Sequence, residues 1–333
     1  MAKKKIAING FGRIGRLTFR NLLESDKVEV VAINDLTDNH TLAHLLKYDS
    51  AQGQFKGTVS STDDKIIVNG VEIAGLSEKD PTKLPWAEMG VDLVLECTGR
   101  FVDKESAGQH LKAGAKDVLI SAPAKGDVQT IVLGVNDDQL DRRANVFSNA
   151  SCTTNCLAPV AKVVEDNWGL VVGSASTIHA YTADQRLQDS PHKDLRRARA
   201  AAVNIVPTET GAAKAVALVL PSVKGKLHAI ALRVPVITGS MVELNLILQN
   251  PPASVEELNA TFKAAADGPM KGVLQYSTDP LVSSDIIGNK HSSIFDSQLS
   301  QVHGNFVKLV SWYDNEAGYS QRLADFALMI LRA

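Results

Sequence analysis

The sequence predicts an α/β fold: a doubly wound parallel sheet in the first half of the chain and an α+β domain with a largely antiparallel sheet in the second. The length of 333 residues is enough for two domains. In the first half, short apolar runs alternate with helical patterns, which is typical of βαβ units. In the second half, long strands alternate apolar and polar residues, as in an antiparallel sheet with one covered face.

The first half contains six candidate strands that are nearly continuous in apolar residues, as expected when both faces are covered: Lys5–Asn9, Val28–Asn34, Leu93–Cys97, Val118–Ser121, Ile131–Gly134 and Val146–Ser148. Helices are predicted between them at Gly12–Ser25, His40–Lys47, Ser106–Ala113 and Asp137–Ala144. An insertion near residues 53–81 has its own alternating stretch, in which Asn69-Gly70 indicates a hairpin.

The second half begins with an amphipathic helix predicted at Thr153–Trp168. Four alternating strands follow, at Val171–His179, Leu227–Pro235, Met241–Gln249 and Asn305–Tyr313. Ser254 and Glu257 form a capping box that opens another helix. We therefore predict domains at residues 1–150 and 151–315, with a C-terminal helix at 316–333 that packs back on the first domain.

The charge balance excludes some classes of partner. Lys plus Arg number 35 and Asp plus Glu number 37, a formal net charge of −2, so nothing draws the whole molecule to nucleic acid or anionic membrane. The first apolar run ends at Ile8, short of an export signal, and no window approaches the ~18 apolar residues of a membrane span. Three cysteines make no disulfide framework. We expect a cytoplasmic protein without a metal site.

The motif Gly-Phe-Gly-Arg-Ile-Gly at residues 10–15 follows a predicted strand directly and opens a helix. Gly10, Gly12 and Gly15 would permit a tight turn and close approach to a pyrophosphate at the helix N-terminus. Asp35 ends the next strand, where an acidic side chain accepts hydrogen bonds from a ribose diol and repels a 2′-phosphate. The motif indicates a Rossmann-type domain that binds NAD in preference to NADP; the alternative is a glycine-rich turn in a flavodoxin-like domain.

Cys152 is the candidate nucleophile. Ser151 and the threonines that follow Cys152 are helix-capping residue types, so the cysteine lies at or near a helix N-terminus, which lowers the pKa of a thiol. The alternative is a packed thiol, as we predict for Cys97 and Cys156. His179, at a predicted strand end, is the best candidate for its base, although the sequence does not place the two side by side.

Two later segments combine hydroxyl, glycine and cationic groups, as a phosphate site requires: Thr208–Lys214 and Leu232–Pro235. The stretch 181–206 has no strong period and carries Arg196, Arg197 and Arg199. For these arginines the alternative is a solvated or subunit-interface loop.

With these segments identified, the chain resembles the phosphorylating glyceraldehyde-3-phosphate dehydrogenases of the bacterial type over essentially its whole length. The most specific segment is Ala-Ser-Cys-Thr-Thr-Asn at 150–155. The other segments that carry the resemblance are Ile8–Arg16, Asn34–Leu36, Leu46–Ser50, Glu96–Arg100, Ser121–Pro123, His179–Thr182, Asp194–Ala200, Thr210–Ala215, Arg233–Pro235 and Trp312–Glu316.

The resemblance implies oxidative phosphorylation of glyceraldehyde 3-phosphate to 1,3-bisphosphoglycerate in glycolysis, with reduction of NAD, through a thiohemiacetal and a thioester on Cys152 and with His179 as base. It implies two anion subsites: Thr182 and Arg233 for the C3 phosphate, and Ser151, Thr153, Thr210 and Gly211, with Arg197 nearby, for inorganic phosphate. It also implies a homotetramer in which the 181–206 loop lines the cofactor site of a neighbouring subunit.

For the cofactor, the resemblance places Arg13 and Ile14 on the dinucleotide phosphates, Asp35 on the adenosine ribose, Lys79 beside the adenine, Ser121 along the cofactor and Asn315 on the nicotinamide carboxamide. Two positions depart from the family pattern. Lys79 stands where many relatives have arginine, and Ser190 precedes Pro191 where NAD-specific relatives usually have leucine. Ser190 could extend the use of cofactor toward NADP, whereas Leu36 and Pro191 match the NAD pattern.

Two other functions stay open from sequence alone. One is erythrose-4-phosphate dehydrogenase activity on the same scaffold, in which water rather than phosphate resolves the thioester. The other is a non-catalytic binding protein, against which the intact cysteine, histidine and anion-binding residues argue.

Overall fold

Two separate sheets organise the chain in the computed structural model, which describes residues 2–332. The first unit comprises the described residues of Met1–Ile131, Asp138–Ala150 and Ser320–Ala333. The second comprises Val132–Asp137 and Ser151–Tyr319. No helix among residues 2–332 has the length and apolar character needed to cross a bilayer.

The first unit contains a nine-stranded sheet. Its strands are β1 Lys4–Asn9, β2 Val28–Asn34, β3 Val59–Ser61, β4 Lys65–Val68, β5 Val71–Leu76, β6 Leu93–Glu96, β7 Asp117–Ile120, β8 Gln129–Thr130 and β9 Val146–Ser148. Their order across the sheet is β3-β4-β5-β2-β1-β6-β7-β9-β8. All neighbours from β5 to β8 pair in parallel, and β3 and β4 add antiparallel pairs at one edge. The parallel order reverses direction at β1, between β2 and β6, as in a doubly wound sheet.

Between β1 and β7 the chain forms five helices: α1 Arg13–Leu22, α2 Asn39–Lys47, α3 Trp86–Met89, α4 Lys104–Ala107 and α5 Gln109–Lys112. The central strands are apolar and buried, for example Ile6, Ala7 and Ile8 of β1, as expected for strands covered on both faces. The predicted hairpin at Asn69-Gly70 is confirmed: both residues have positive φ, of 51° and 80°, and they connect the antiparallel strands β4 and β5.

The turn from β1 into α1 depends on two glycines. Gly10 has a φ of +93°, and a Cβ there would lie 2.7 Å from the Thr98 nitrogen. A Cβ on Gly15 would lie 2.3 Å from the carbonyl oxygen of Gly10. The helix can therefore pack this closely on the turn only because both positions lack a side chain.

The last helix, α9 Ala317–Leu331, contributes its residues from Ser320 onward to the first unit. There Thr18 Oγ1 donates to the carbonyl oxygen of Ser320 at 3.5 Å, and the rings of Phe147 and Phe326 meet edge to face with centroids 6.0 Å apart. Ala333, the last residue of the predicted helix 316–333, lies outside the described residues.

The second unit contains a largely antiparallel, eight-stranded sheet. Its strands are β10 Leu170–Ala180, β11 Val206–Glu209, β12 Leu227–Val234, β13 Ser240–Leu248, β14 Leu274–Ser277, β15 Ser293–Asp296, β16 Gln301–His303 and β17 Phe306–Tyr313. Their order is β11-β12-β10-β13-β17-β15-β14, and β16 pairs with β17. Its helices are α6 Cys152–Trp168, α7 Ala212–Val219 and α8 Val255–Asp267. The predicted capping box of α8 forms only in part: Ser254 Oγ accepts from Glu257 N, but the Glu257 carboxylate accepts from Ala253 N rather than from Ser254 N.

Three element predictions are wrong. Residues 131–134 form no strand: a turn covers residues 133–135, Val132 N donates to Asn136 Oδ1, and Gly134 N donates to Asp137 Oδ1. Of the predicted helix 137–144, only a 3₁₀ turn at Asp137–Gln139 forms. The predicted helix at 106–113 is two short helices, α4 and α5, that meet at Gly108.

The glycine packing makes a prediction about stability. We expect Gly15→Ala to lower the free energy of unfolding by about 1–3 kcal/mol, because the new Cβ displaces α1 from the turn. Gly12→Ala is the matched control, since no atom lies within 4 Å of its Cβ position and its φ is −74°; it should cost less than about 1 kcal/mol. Urea unfolding followed by tryptophan fluorescence measures both, and equal losses would contradict the close packing at Gly15.

Candidate active site

Cys152 is the first residue of α6. Ser151 precedes it in an extended conformation and caps the helix, because Ser151 Oγ accepts a hydrogen bond from Thr154 N at 3.1 Å. The cysteine sulfur is therefore held in the first turn of a 17-residue helix, beside backbone N–H groups. All three cysteines are free thiols, and Cys156, one turn further along α6, is buried in the core, as predicted.

His179 lies next to last in β10 and brings its imidazole to this sulfur. Its Nε2 atom is 3.5 Å from Cys152 Sγ. The ring is buried, and it packs edge to face on Tyr313 with centroids 5.9 Å apart. A sulfur and an imidazole nitrogen at this distance can exchange a proton, which is what a nucleophile and its base require.

Arg233 lies beside His179 because β10 and β12 pair in parallel with these two residues in register. Its Nη1 atom is 2.6 Å from His179 Nδ1, and Nδ1 is also 2.7 Å from the carbonyl oxygen of Ala180. A neutral imidazole cannot bond to both, since Nδ1 either donates to the carbonyl or accepts from the guanidinium. When Nδ1 donates to Ala180, Nε2 presents a lone pair to the sulfur and can take its proton.

The sequence predicted a lowered pKa for the Cys152 thiol, and the structure corrects this in part. Burial raises the pKa of the Cys152 thiol overall, although Arg233 and the N–H groups of the first helical turn lower it. Burial, assisted by the positive charge of Arg233, lowers the pKa of His179 to about 3. The helix N-terminus acts in the predicted direction, but the desolvation of the sulfur outweighs it.

Asp184 is a second charged group near Arg233. Asp184 accepts hydrogen bonds from the Thr182 hydroxyl and from Arg197 Nη1. Arg197 also donates from Nε to Thr208 Oγ1 at 2.9 Å. The positive charges of Arg233 and Arg197 help to hold the pKa of the Asp184 carboxyl below its usual value, against burial, which raises it. Of the predicted anion-binding residues, Thr182 and Arg197 are thus brought together on one carboxylate.

Thr153, Thr210 and Gly211 are three further predicted anion-binding residues of the second unit. Thr153 Oγ1 is hydrogen-bonded to the Tyr313 hydroxyl at 2.9 Å, so it faces the interior. Thr210 Oγ1 accepts from Ala212 N at 3.2 Å, and Gly211 is the N-cap of α7. Thr210 lines a cavity of about 960 Å³ together with Arg197, Lys214 and other residues of the second unit.

The first unit has a cavity of about 590 Å³ at the carboxyl ends of β1, β2 and β6. It brings together four of the predicted cofactor-binding residues: Gly10, Gly12, Asp35 and Lys79. Leu36, which matches the NAD pattern in the sequence, also lines it. The lining residues to which the sequence gave no cofactor role are Asn9, Asn34, Glu78, Pro81, Cys97, Thr98, Arg100 and Phe101. Position at strand ends was the signal that could have found several of them.

Two features of this cavity suit the ribose and phosphate of a nucleotide. Asp35 Oδ2 accepts from Phe11 N at 2.7 Å and Oδ1 from Thr37 N at 3.0 Å, so its carboxylate is held at the cavity wall. Each oxygen keeps a further lone pair for a ribose diol. The position of a Cβ on Gly12 is open, which leaves room for a phosphate at the start of α1.

The other predicted cofactor residues, Gly15 among them, lie outside the lining of this cavity. Arg13 Nη1 donates to Asp49 Oδ2 at 2.6 Å, Ile14 is in the first turn of α1, and Ser121 follows β7. Asn315 belongs to the second unit, where its Oδ1 accepts from Ser240 Oγ at 2.9 Å. Among residues 2–332, no group of three His, Cys, Asp or Glu side chains could hold a metal ion.

Comparisons with known proteins bear on both units. Residues 4–104 match the family model of the glyceraldehyde 3-phosphate dehydrogenase NAD binding domain, and residues 151–315 match that of the C-terminal domain. The chain is 57% identical to the glyceraldehyde-3-phosphate dehydrogenases of Mycobacterium avium and Geobacillus stearothermophilus, over 98% of each chain. It is 56% identical to that of Thermotoga maritima, over 98% of this chain and 99% of the relative.

The chain belongs to the glyceraldehyde-3-phosphate dehydrogenase family. The predicted resemblance is therefore confirmed, and so are the Rossmann-type first domain and NAD as the cofactor. Family membership also makes the protein an NAD-dependent oxidoreductase.

The contact between sulfur and imidazole makes a prediction about alkylation. We expect His179→Asn to slow alkylation of Cys152 by iodoacetamide at pH 7 by about tenfold or more, because the thiol loses the group that takes its proton. His228→Asn, on an exposed position of β12, is the matched control and should leave the rate unchanged. Mass spectrometry of the Cys152 peptide measures the rate, and an unaltered rate in His179→Asn would exclude the proton exchange.

Proposed function

We propose that the protein is a glycolytic glyceraldehyde-3-phosphate dehydrogenase that converts glyceraldehyde 3-phosphate and inorganic phosphate to 1,3-bisphosphoglycerate while reducing NAD. The observation that carries the proposal is the 3.5 Å contact between Cys152 Sγ and His179 Nε2 at the start of α6, with Arg233 alongside. The names of the relatives do not favour the erythrose 4-phosphate alternative.

In the first half of the reaction, His179 Nε2 takes the Cys152 proton and the sulfur adds to the aldehyde carbon. His179 gives that proton to the aldehyde oxygen, which makes a thiohemiacetal on Cys152 and leaves the imidazole neutral again. His179 then takes the hydroxyl proton while the carbon loses a hydride, and a thioester remains. NAD, held by the first domain, supplies the chemistry of a hydride acceptor.

In the second half, a phosphate oxygen attacks the thioester carbon. The carbon–sulfur bond breaks, and the acyl phosphate leaves Cys152 as a thiolate. The raised pKa of the thiol means that this sulfur readily accepts a proton again, and His179 is placed to return it. One side chain thus serves as base in the oxidation and as proton donor at the end.

We propose that hydroxyl, backbone N–H and guanidinium donors of the second domain bind the two anions. Thr182 and Arg233 would hold the C3 phosphate of the substrate, and Arg197 would lie near inorganic phosphate. The residues proposed to contact inorganic phosphate are Ser151, Thr153, Thr210 and Gly211. Thr210 supports this role because its oxygen accepts from the backbone and its own O–H is left to donate to a phosphate oxygen.

The cofactor roles follow the same assignment. Asp35 would accept from the adenosine ribose, and Gly10, Gly12 and Gly15 would form the turn beneath the phosphates. The remaining proposed contacts are Arg13 and Ile14 on the phosphates, Lys79 beside the adenine, Ser121 along the cofactor and Asn315 on the carboxamide. We propose residues 1–150 and the helix 316–333 as the NAD-binding domain and residues 151–315 as the catalytic domain.

A cytoplasmic homotetramer completes the proposal. The loop 181–206 exposes large apolar side chains, with Leu187 and Leu195 each 81% exposed and Val203 76% exposed. Apolar side chains this exposed on one loop are typical of a protein–protein interface. Burial of this loop against another copy of the chain would remove them from water.

The activity test measures NADH absorbance with glyceraldehyde 3-phosphate and NAD or NADP, with and without phosphate. We expect reduction of NAD that depends on phosphate, and its abolition in Cys152→Ser, because a serine hydroxyl ionises far less readily than a thiol. Cys156→Ser is the matched control and should stay active, since this buried thiol contacts the Ser293 hydroxyl rather than His179. Turnover without phosphate would favour the erythrose 4-phosphate type of reaction, and substantial turnover in Cys152→Ser would exclude Cys152 as nucleophile.

The choice of cofactor depends on Asp35. We expect Asp35→Ala to raise kcat/KM for NADP relative to NAD by about tenfold or more, since a carboxylate beside a 2′-phosphate is repulsive. Glu72→Ala removes a charge from the same unit, on the exposed β4–β5 hairpin, and should leave the ratio unchanged. An unaltered ratio in Asp35→Ala would refute the ribose contact.

A further inference from the structure

Glu96, the last residue of β6, has a fully buried carboxylate that accepts hydrogen bonds on both oxygens. Oε1 accepts from Thr98 N at 2.8 Å and from the Thr98 hydroxyl. Oε2 accepts from Asn9 Nδ2 at 2.6 Å and lies 3.1 Å from His110 Nε2. Hydrogen-bond donors face both oxygens, so the position suits a carboxylate. A glutamine has the same shape, but it would turn its NH₂ group toward other donors.

The tautomer of His110 follows from its other neighbour. Trp86 Nε1 lies 3.0 Å from His110 Nδ1, and an indole N–H can only donate. Nδ1 is therefore the acceptor, and the ring proton is on Nε2, directed at Glu96. The 3.3 Å approach of Asn9 Nδ2 to His110 Nε2 is then a contact between two donors that share one carboxylate oxygen.

The orientation of one amide sets that of the next. Since Asn9 turns its NH₂ group toward Glu96, its Oδ1 accepts from Asn34 Nδ2 at 2.7 Å. Asn34 then donates to the carbonyl oxygen of Glu78 at 2.9 Å and accepts from Glu78 N at 2.8 Å. The charge on Glu96 thus reaches the backbone at Glu78 through two asparagine side chains, each with a single permitted orientation.

Both ends of this relay line the nucleotide cavity. Thr98 follows β6, and Glu78 lies beside Lys79 after β5. We infer that Glu96 is a positioning residue for the cofactor: its carboxylate holds Thr98 directly and the backbone at Glu78 through the asparagine relay. The inference rests on the proposed use of this cavity for NAD, and it assigns Glu96 a role in binding rather than in the reaction.

The first test is Glu96→Gln. A glutamine NH₂ group placed at Oε2 faces the Asn9 amide and His110, so Asn9 must turn over and present its NH₂ group to Asn34. We expect KM for NAD to rise about tenfold or more, with kcat at saturating NAD changed by less than about twofold. The inhibition constant of adenosine, measured as a competitor of NAD, should rise by the same factor, because adenosine reports the cavity walls without any phosphate.

A double variant distinguishes a wrong amide orientation from a general loss of stability as the cause of weaker binding. In Asn9→Asp alone, two carboxylates would stand at a position where the wild-type atoms are 2.6 Å apart, and adenosine binding should again weaken about tenfold or more. In Glu96→Gln with Asn9→Asp, every donor regains an acceptor: the glutamine NH₂ group and His110 Nε2 donate to one oxygen of Asp, and Asn34 donates to the other. We expect the double variant to restore the adenosine constant to within about threefold of wild type.

Two further variants keep the test decisive. Val118→Ala removes buried methyl groups from β7, so it should lower the melting temperature without a change in either constant. Asn34→Ala breaks the relay at its outer end without leaving a buried charge, and it should weaken adenosine binding even if Glu96→Gln does not fold. The inference is overturned if a folded Glu96→Gln binds adenosine as wild type does, if Asn34→Ala does so, or if the double variant is no better than the single ones. A wild-type protein that fails to reduce NAD would instead overturn the proposed function.

Discussion

The register of neighbouring parallel strands places the functional side chains of each domain next to one another. In the second domain, β10 and β12 align His179 with Arg233, so the guanidinium reaches the imidazole without any contribution from a loop. In the first domain, Asn9 is in register with both Asn34 and Glu96. A shift of one residue in either pairing would turn these side chains to the opposite face of the sheet and dismantle both arrangements.

Ion pairs within the fold bear on how a chain with a net charge of −2 would bind polyanions. Two of the cations proposed to bind phosphates are already paired with carboxylates: Arg197 with Asp184, and Arg13 with Asp49. A phosphate that binds there as proposed would exchange one negative partner for another, rather than fill an uncompensated positive field. Its affinity would then depend on local geometry more than on the charge of the whole molecule.

Much of the fold could be predicted from the sequence because its signals are local. The boundaries of β2 and β9 agree with the structure to the residue, and the hairpin at Asn69-Gly70 needs only the residue pair and its flanking alternation. The strand predicted at 131–134 and the helix predicted at 137–144 do not form. The side chains of Asn136 and Asp137 accept hydrogen bonds from the nearby backbone there, which favours turns. In the candidate site, the sequence identified Cys152 and His179 by residue type and position. Their 3.5 Å contact and the raised pKa of the buried thiol depend on long-range packing, which no local pattern encodes.

The relay around Glu96 was missed for a related physical reason. Asn9, Asn34, Glu96 and His110 are single polar residues in apolar surroundings, and only the strand order β2-β1-β6 brings the first three together. A buried carboxylate of this kind contributes little net stability, since its desolvation offsets much of what its hydrogen bonds supply. It does restrict the amides around it to one orientation, and amides with one orientation can hold a backbone segment in one place. A charge buried at the carboxyl ends of these strands therefore fixes the side chains and backbone that line the cavity proposed to hold the nucleotide.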